Sequence, residues 1–138
     1  MTVMNLLMRN TDYAVRALIH MAGRHPERVS TADLDRSLQL PRPFMRKTLQ
    51  MLQKAGYLVS VKGKNGGFFL ALPAEKIRLV DLMALFQGPL SMGDCLFKKK
   101  LCTCTRTCPL RREIKGIEEM ALVRLSKVTV ASLMKGVR

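Results

Sequence analysis

Four cysteines, Cys95, Cys102, Cys104 and Cys108, fall within 14 residues of one another. Thiols this close ligate soft metals or iron–sulfur clusters, switch between thiol and disulfide, or stay inert. Iron–sulfur sites are commonly held by thiolates on irregular loops, and residues 88–109 show little hydrophobic periodicity. No acid stands between Asp94 and Glu113, whereas Lys98, Lys99, Lys100, Arg106, Arg111 and Arg112 do. Cations beside thiols favour the thiolate and offset the charge of an anionic cluster. The competing readings are a disulfide switch, inert thiols, and structural zinc, whose usual mark is a cysteine pair two to four residues apart. No histidine closely follows Cys108, and His20 and His25 lie far back in the chain, on a helix surface and in a loop.

A second stretch carries chemistry of another kind. From Arg36 to Ala74 there is no acid, but there are Arg36, Arg42, Arg46, Lys47, Lys54, Lys62 and Lys64. At helical spacing Arg42, Arg46, Gln50 and Gln53 share one outer face, with Lys47 and Lys54 beside it. Arginine grips guanine with two hydrogen bonds and glutamine grips adenine, so this face suits a DNA major groove. Lys62 and Lys64 flank a glycine-rich turn that would reach phosphate or the minor groove, and Gly63, Gly66 and Gly67 would let its backbone approach the duplex. One basic helix alone is more often a solvated face. Here a basic helix, a basic turn and an acid-free stretch coincide, which points to nucleic acid.

The whole chain agrees with that reading. Its 138 residues hold 24 Lys and Arg against 10 Asp and Glu, a net charge of +14, and such an excess calls for a polyanionic partner. A hydrophobic content of 48% excludes a disordered basic tail. No apolar run approaches the roughly 18–20 residues of a membrane span, and Met1–Asn10 lacks the charged start of a secretory signal. A cytoplasmic protein without membrane association is expected, in which clustered cysteines are metal ligands or reactive thiols before they are structural disulfides. There is no nucleophile–base constellation and no carboxylate pair in a plausible pocket, and Gly63–Gly67 reads as a hairpin tip and not a phosphate loop. An enzyme is not expected.

The elements that must position these groups follow from periodicity and punctuation. Tyr13, Ala14, Ala17, Leu18 and Met21 predict a helix over 11–22, stopped by Gly23. Ser30, with Asp33 three residues on, starts a second helix, broken at Gln39-Leu40-Pro41. A third runs over 42–55, with Pro43 in its first turn and Met45, Leu49 and Leu52 facing inward. Residues 57–61 and 68–72 form a hairpin. A short helix spans 80–87. A longer one spans 110–125, with Leu110, Ile114, Ile117, Ala121 and Leu125 on one stripe, and a last turn begins near Thr129. The fold class is mostly α with a small β-hairpin: a winged helix-turn-helix followed by a long C-terminal helix. The organisation is a DNA-binding domain over 1–74, a linker helix and cysteine loop over 75–109, and a dimerisation helix with a C-terminal helix over 110–138.

The runs TDYAVRAL (11–18), PRPFMRKTLQMLQKAGYL (41–58), SVKGKNGGFFLA (60–71), LMALFQG (82–88) and SKVTVASL (126–133) resemble the bacterial winged-helix repressor family of the iron–sulfur assembly regulator IscR and the nitric-oxide-sensing repressor NsrR. The resemblance spans nearly the whole chain, and the paired-glycine wing is its most specific part. It implies a homodimeric repressor of palindromic double-stranded DNA, dimerised through the long helix after the cysteine loop. It also implies an iron–sulfur cluster, [2Fe-2S] or [4Fe-4S], on Cys95, Cys102 and Cys108. Cys104 is extra, as a substitute, a fourth ligand or a bystander. Asp12 matches the place where some nitric-oxide-sensing relatives supply a carboxylate from the partner subunit, and it equally suits the first turn of a helix as a dipole partner. Lys62 stands where the family commonly carries arginine, keeping the charge without the bidentate fork. The alternatives are a cluster-free thiol-redox regulator and a basic winged-helix module for RNA or protein.

Overall fold

The computed structural model describes residues 5–64, 66–92 and 108–135. In chain order the elements are α1 (Arg9–Arg24), α2 (Thr31–Leu38), α3 (Arg42–Lys54), β1 (Leu58–Val61), β2 (Gly67–Leu70), a 3-10 turn at Ala74–Lys76, α4 (Leu79–Gln87), α5 (Pro109–Ser126) and α6 (Val130–Met134). The order is the one the sequence predicts, with ends differing by one to two residues. α1 extends two residues beyond each predicted end, from Arg9 through Gly23 to Arg24.

Helix α1 is the centre of the core. Thr11, Ala14, Val15, Ala17, Leu18 and Met21 are buried at helical spacing, and α2, α3, β2, α4 and α6 all pack on it. Leu34 of α2, Met45, Leu49 and Leu52 of α3, Leu58 and Leu70 of the hairpin, Leu82 of α4 and Val130 of α6 complete one apolar cluster. Such burial is the dominant favourable contribution to folding. The chain's end closes back onto this core. Leu79 N donates to Val128 O at 2.9 Å, and Val130 N donates to Ile77 O at 2.9 Å.

Local chemistry sets the helix-turn-helix. Ser30 caps α2 in a reciprocal capping box with Asp33, whose carboxyl is held below its ordinary value mainly by the Ser30 hydroxyl. Gln39 then adopts φ 52° and ends α2 in the left-handed conformation, turning the chain into α3 within three residues. Gly56, at φ 89°, makes the corresponding turn from α3 into β1.

Candidate nucleic-acid interface and sensor segment

Helix α3 is held by one face and free on the other. Met45, Thr48, Leu49 and Leu52 are buried, while Arg42, Arg46, Lys47, Gln50, Gln53 and Lys54 are exposed. Its first turn carries no acid, and Pro41 makes no side-chain cap. The positive end of the helix and its cationic side chains therefore project together. Two of these side chains have partners within the chain. Arg42 Nε donates to Asp35 Oδ2 at 2.7 Å, and Gln53 Nε2 donates to Ser60 Oγ of β1 at 2.9 Å. Gln53 lies on the predicted outer face, but its amide ties helix to hairpin. Arg46, Lys47 and Gln50 make no side-chain hydrogen bond or ion pair among the described residues.

The hairpin β1–β2 is antiparallel, with Leu58 opposite Leu70 and Val61 opposite Gly67. Its turn exposes Lys62 and Lys64, so the exposed cations of helix and hairpin belong to one acid-free stretch of sequence, from Arg36 to Ala74. Two of the glycines have a role within the protein that the sequence does not show. A Cβ on Gly66 would stand 2.4 Å from Val61 O, and one on Gly67 would stand 2.7 Å from Val29 O. Gly67 is needed because Val29 bridges to Phe68, exchanging hydrogen bonds of 2.9 and 2.8 Å. These two glycines serve close approach within the protein, which anchors the hairpin to the entry of α2.

Of the four cysteines, Cys108 lies among the described residues, half-buried and immediately ahead of Pro109 at the start of α5. Cys95, Cys102 and Cys104 lie outside them. Among the described residues no three His, Cys, Asp or Glu side chains gather as a metal site. The donor set fits an iron–sulfur group by its chemistry. The first turn of α5 has no acid, so the helix's positive end and the nearby Arg111 and Arg112 favour an anionic group beside Cys108. Spacing alone does not set zinc aside, since Cys104 and Cys108 have three residues between them.

Asp12 sits in the first turn of α1, where its Oδ2 accepts from Arg16 Nε at 2.9 Å. Its neighbour Thr11 is fully buried and donates from Oγ1 to Gln87 Oε1 at 2.7 Å. The same Gln87 oxygen accepts Met8 N at 2.9 Å, and Gln87 Nε2 donates to Leu6 O at 2.9 Å. Gln87 thus caps α1 from the far end of α4, just before the chain enters the cysteine segment. On the exit side of Gly88–Pro89, Met92 N donates to Glu118 Oε2 of α5 at 3.1 Å. These contacts connect the root of the cysteine segment to α1 and to α5, and no periodicity in the sequence signals them.

Helix α5 splits its predicted stripe. The helix packs against α4; Ile114, Ala121 and Leu125 are half-buried, while Leu110 and Ile117 are exposed with Met120 and Val123. These four are 71, 51, 73 and 60% exposed, and no residue of α5 is fully buried. An 18-residue helix with a bare apolar face marks an interaction surface.

A helix-turn-helix with a cationic exposed helix, a cationic wing and a bare apolar helix behind them defines a winged-helix transcription regulator. A family profile described as Rrf2, iron-dependent transcriptional regulator, matches residues 7–136, and the chain belongs to that family. The fold is shared with solved structures of low sequence identity. CymR, described as the global cysteine regulator of B. subtilis, is 20% identical and superposes with a TM-score of 0.82 over 98% of this chain and 100% of that one. IscR of T. potens is 24% identical, with a TM-score of 0.68 over 96% and 88%. CymR of Staphylococcus aureus is 22% identical, with a TM-score of 0.65 over 92% and 96%.

Proposed function

We propose that this chain is a homodimeric, cytoplasmic repressor that binds a palindromic operator and whose DNA affinity is set by an iron–sulfur cluster. The reader is the unit 1–74, the sensor 75–109 and the dimer element 110–138. The observation that carries the DNA reading is the set of exposed cations on α3 and the hairpin turn, drawn from a stretch of sequence without acids. Arg42, Arg46 and Gln50 address base edges, and Lys47, Lys62 and Lys64 address phosphates. Membership of a family of iron-dependent regulators supports the sensor reading, as do four cysteines among cations. No helix among the described residues is long and apolar enough to cross a membrane.

Cys95, Cys102 and Cys108 would hold the cluster, with Cys104 or the partner subunit's Asp12 completing the set. When bound, the group supplies a centre that responds to oxygen, nitric oxide or cluster supply by changing its charge and ligand demand. The chain's own part is transmission. Gln87 connects the root of the cysteine segment to α1, and the Met92–Glu118 contact connects it to α5. A two-fold protein needs its two recognition helices at a fixed spacing, so a small change in how α5 pairs is read as a large change in affinity.

The second reading is a cluster-free thiol-redox regulator on the same scaffold. It is favoured by the same four cysteines and by a fold that superposes both on an IscR and on a cysteine regulator. One experiment separates the two. Anaerobically purified protein should be coloured and contain iron and acid-labile sulfide, and loss of the colour should change operator affinity. Colourless protein that takes up no iron on reconstitution leaves the thiol reading in place.

A further inference from the structure

Asp35 is the last acid before the acid-free run, and it pairs with Arg42 of the helix assigned to DNA. Its side chain is 15% exposed, whereas that of Arg42 is 80% exposed. Oδ2 accepts Arg42 Nε at 2.7 Å, and the buried Oδ1 accepts no hydrogen bond among the described residues. A carboxylate in this place is costly twice over. One oxygen is desolvated without a partner, and the charge repels nearby phosphates. Stability alone is a poor reason to keep it there.

The geometry of the pair offers a reason. A guanidinium has three nitrogens that donate. With Nε engaged by Asp35, and Arg42 making no other side-chain hydrogen bond among the described residues, both terminal Nη groups are left without a partner there, on a side chain 80% exposed at the first position of α3. Those two groups form the fork that meets guanine O6 and N7. An unsupported arginine spreads over many rotamers and loses that freedom on binding. Held by a carboxylate it is aligned beforehand, and the carboxylate's charge weakens attraction to any phosphate that lacks the matching base.

We propose that Asp35 is a positioning residue for sequence specificity, fixing Arg42 as an end-on base reader and lowering its value as a general phosphate contact. The proposal rests on the DNA-reading surface assigned above. Lysine at 42 keeps the charge but has no fork, so Arg42→Lys defines which base pair the fork reads. Asp35→Ala removes the support without touching the reader. Asp35→Asn keeps the shape and an oxygen acceptor.

The test is selection of binding sites from a randomised duplex pool with the full chain, followed by affinity for the selected and a scrambled duplex. Wild type should enrich a two-fold site. Arg42→Lys should lose preference at one base pair of each half-site, lowering the ratio of selected to scrambled affinity by about 5- to 150-fold per half-site, the range of one bidentate base contact. Asp35→Ala should lose preference at that same base pair, with the other positions unchanged and scrambled binding raised. Asp35→Asn should fall between Asp35→Ala and wild type, and the Asp35→Ala/Arg42→Lys double variant should be no worse than Arg42→Lys. Asp35→Ala that keeps the preference, weakens all positions alike, or multiplies its loss with that of Arg42→Lys overturns the proposal. A wild-type protein that enriches no sequence refutes the DNA-reading surface itself, before any Asp35 variant is compared.

Discussion

The bare face of α5 gives the sharpest quantitative prediction. Met120 is 73% exposed and lies between Ile117 and Val123, which are 51 and 60% exposed. Complete burial of such a side chain is worth about 1.5–3 kcal/mol. The part still available at Met120 is therefore roughly 1–2 kcal/mol. In a two-fold dimer each substitution counts twice, so Met120→Asp should cost about 2–4 kcal/mol of association from lost apolar burial. That weakens the dimer about 30- to 800-fold, and placing two carboxylates in an apolar contact adds to the loss. Met120→Leu keeps the apolar surface and should dimerise as wild type does. Lys115→Asp, on the opposite side of the helix, should have little effect. Sedimentation velocity over a concentration series measures each dissociation constant, and circular dichroism checks that the variants remain helical. Because no residue of α5 is fully buried, Met120→Asp should leave the monomer fold intact. A Met120→Asp protein that dimerises as tightly as wild type would show that this face is not the interface. A wild-type monomer at high micromolar concentration would refute dimerisation itself.

Arg46→Ala should weaken binding to a selected operator by about 1–3 kcal/mol and relax one base position; an equal loss on scrambled duplex in a filter-binding assay would assign Arg46 to phosphate. Lys62→Ala and Lys64→Ala should each reduce the salt slope of log affinity by about one unit, and unchanged slopes in both would place the hairpin tip off the DNA. Serine at Cys95, Cys102 or Cys108 should abolish or destabilise the cluster absorbance, Cys104→Ser should retain it, and Asp12→Ala should leave a cluster that forms but is lost sooner in air. Equal loss from Cys104→Ser would make Cys104 a ligand. Burial, reinforced by the Arg24 charge and opposed by Asp33, lowers the His20 pKa below 6.5. The unfolded chain then binds the proton more readily, so stability is full above about pH 6.5 and falls as pH drops through the folded value. The thermal midpoint should decline below that pH in wild type and decline less in His20→Leu.

The order of elements and most of the core were legible in the chain because they rest on local chemistry. The reciprocal Ser30–Asp33 cap, the turn at Gln39-Leu40-Pro41 and the burial of Met45, Leu49 and Leu52 each follow from residues within about two turns of one another. The cationic surface was legible for a related reason. A stretch without acids needs no partner from afar to be positive, and α3 turns Arg42, Arg46, Lys47 and Gln50 outward once its apolar face is set.

What only the tertiary structure decided are contacts whose partners are distant in sequence or separated by a turn. Asp35 and Arg42 stand seven residues apart in different helices, and they meet because Gln39 turns left-handed between them. Gln87 caps α1 across 76 residues, from Thr11 to the end of α4. Gly66 and Gly67 are required by the backbone oxygens of Val61 and Val29, where the sequence pointed to the duplex. The stripe on α5 was visible as one apolar band, but the fold half-buries Ile114, Ala121 and Leu125 and leaves Leu110 and Ile117 exposed. Periodicity reports that a face is apolar. Which part of that face the chain buries itself, and which part it leaves for another molecule, depends on where a neighbouring helix is packed, and that is a property of the whole fold.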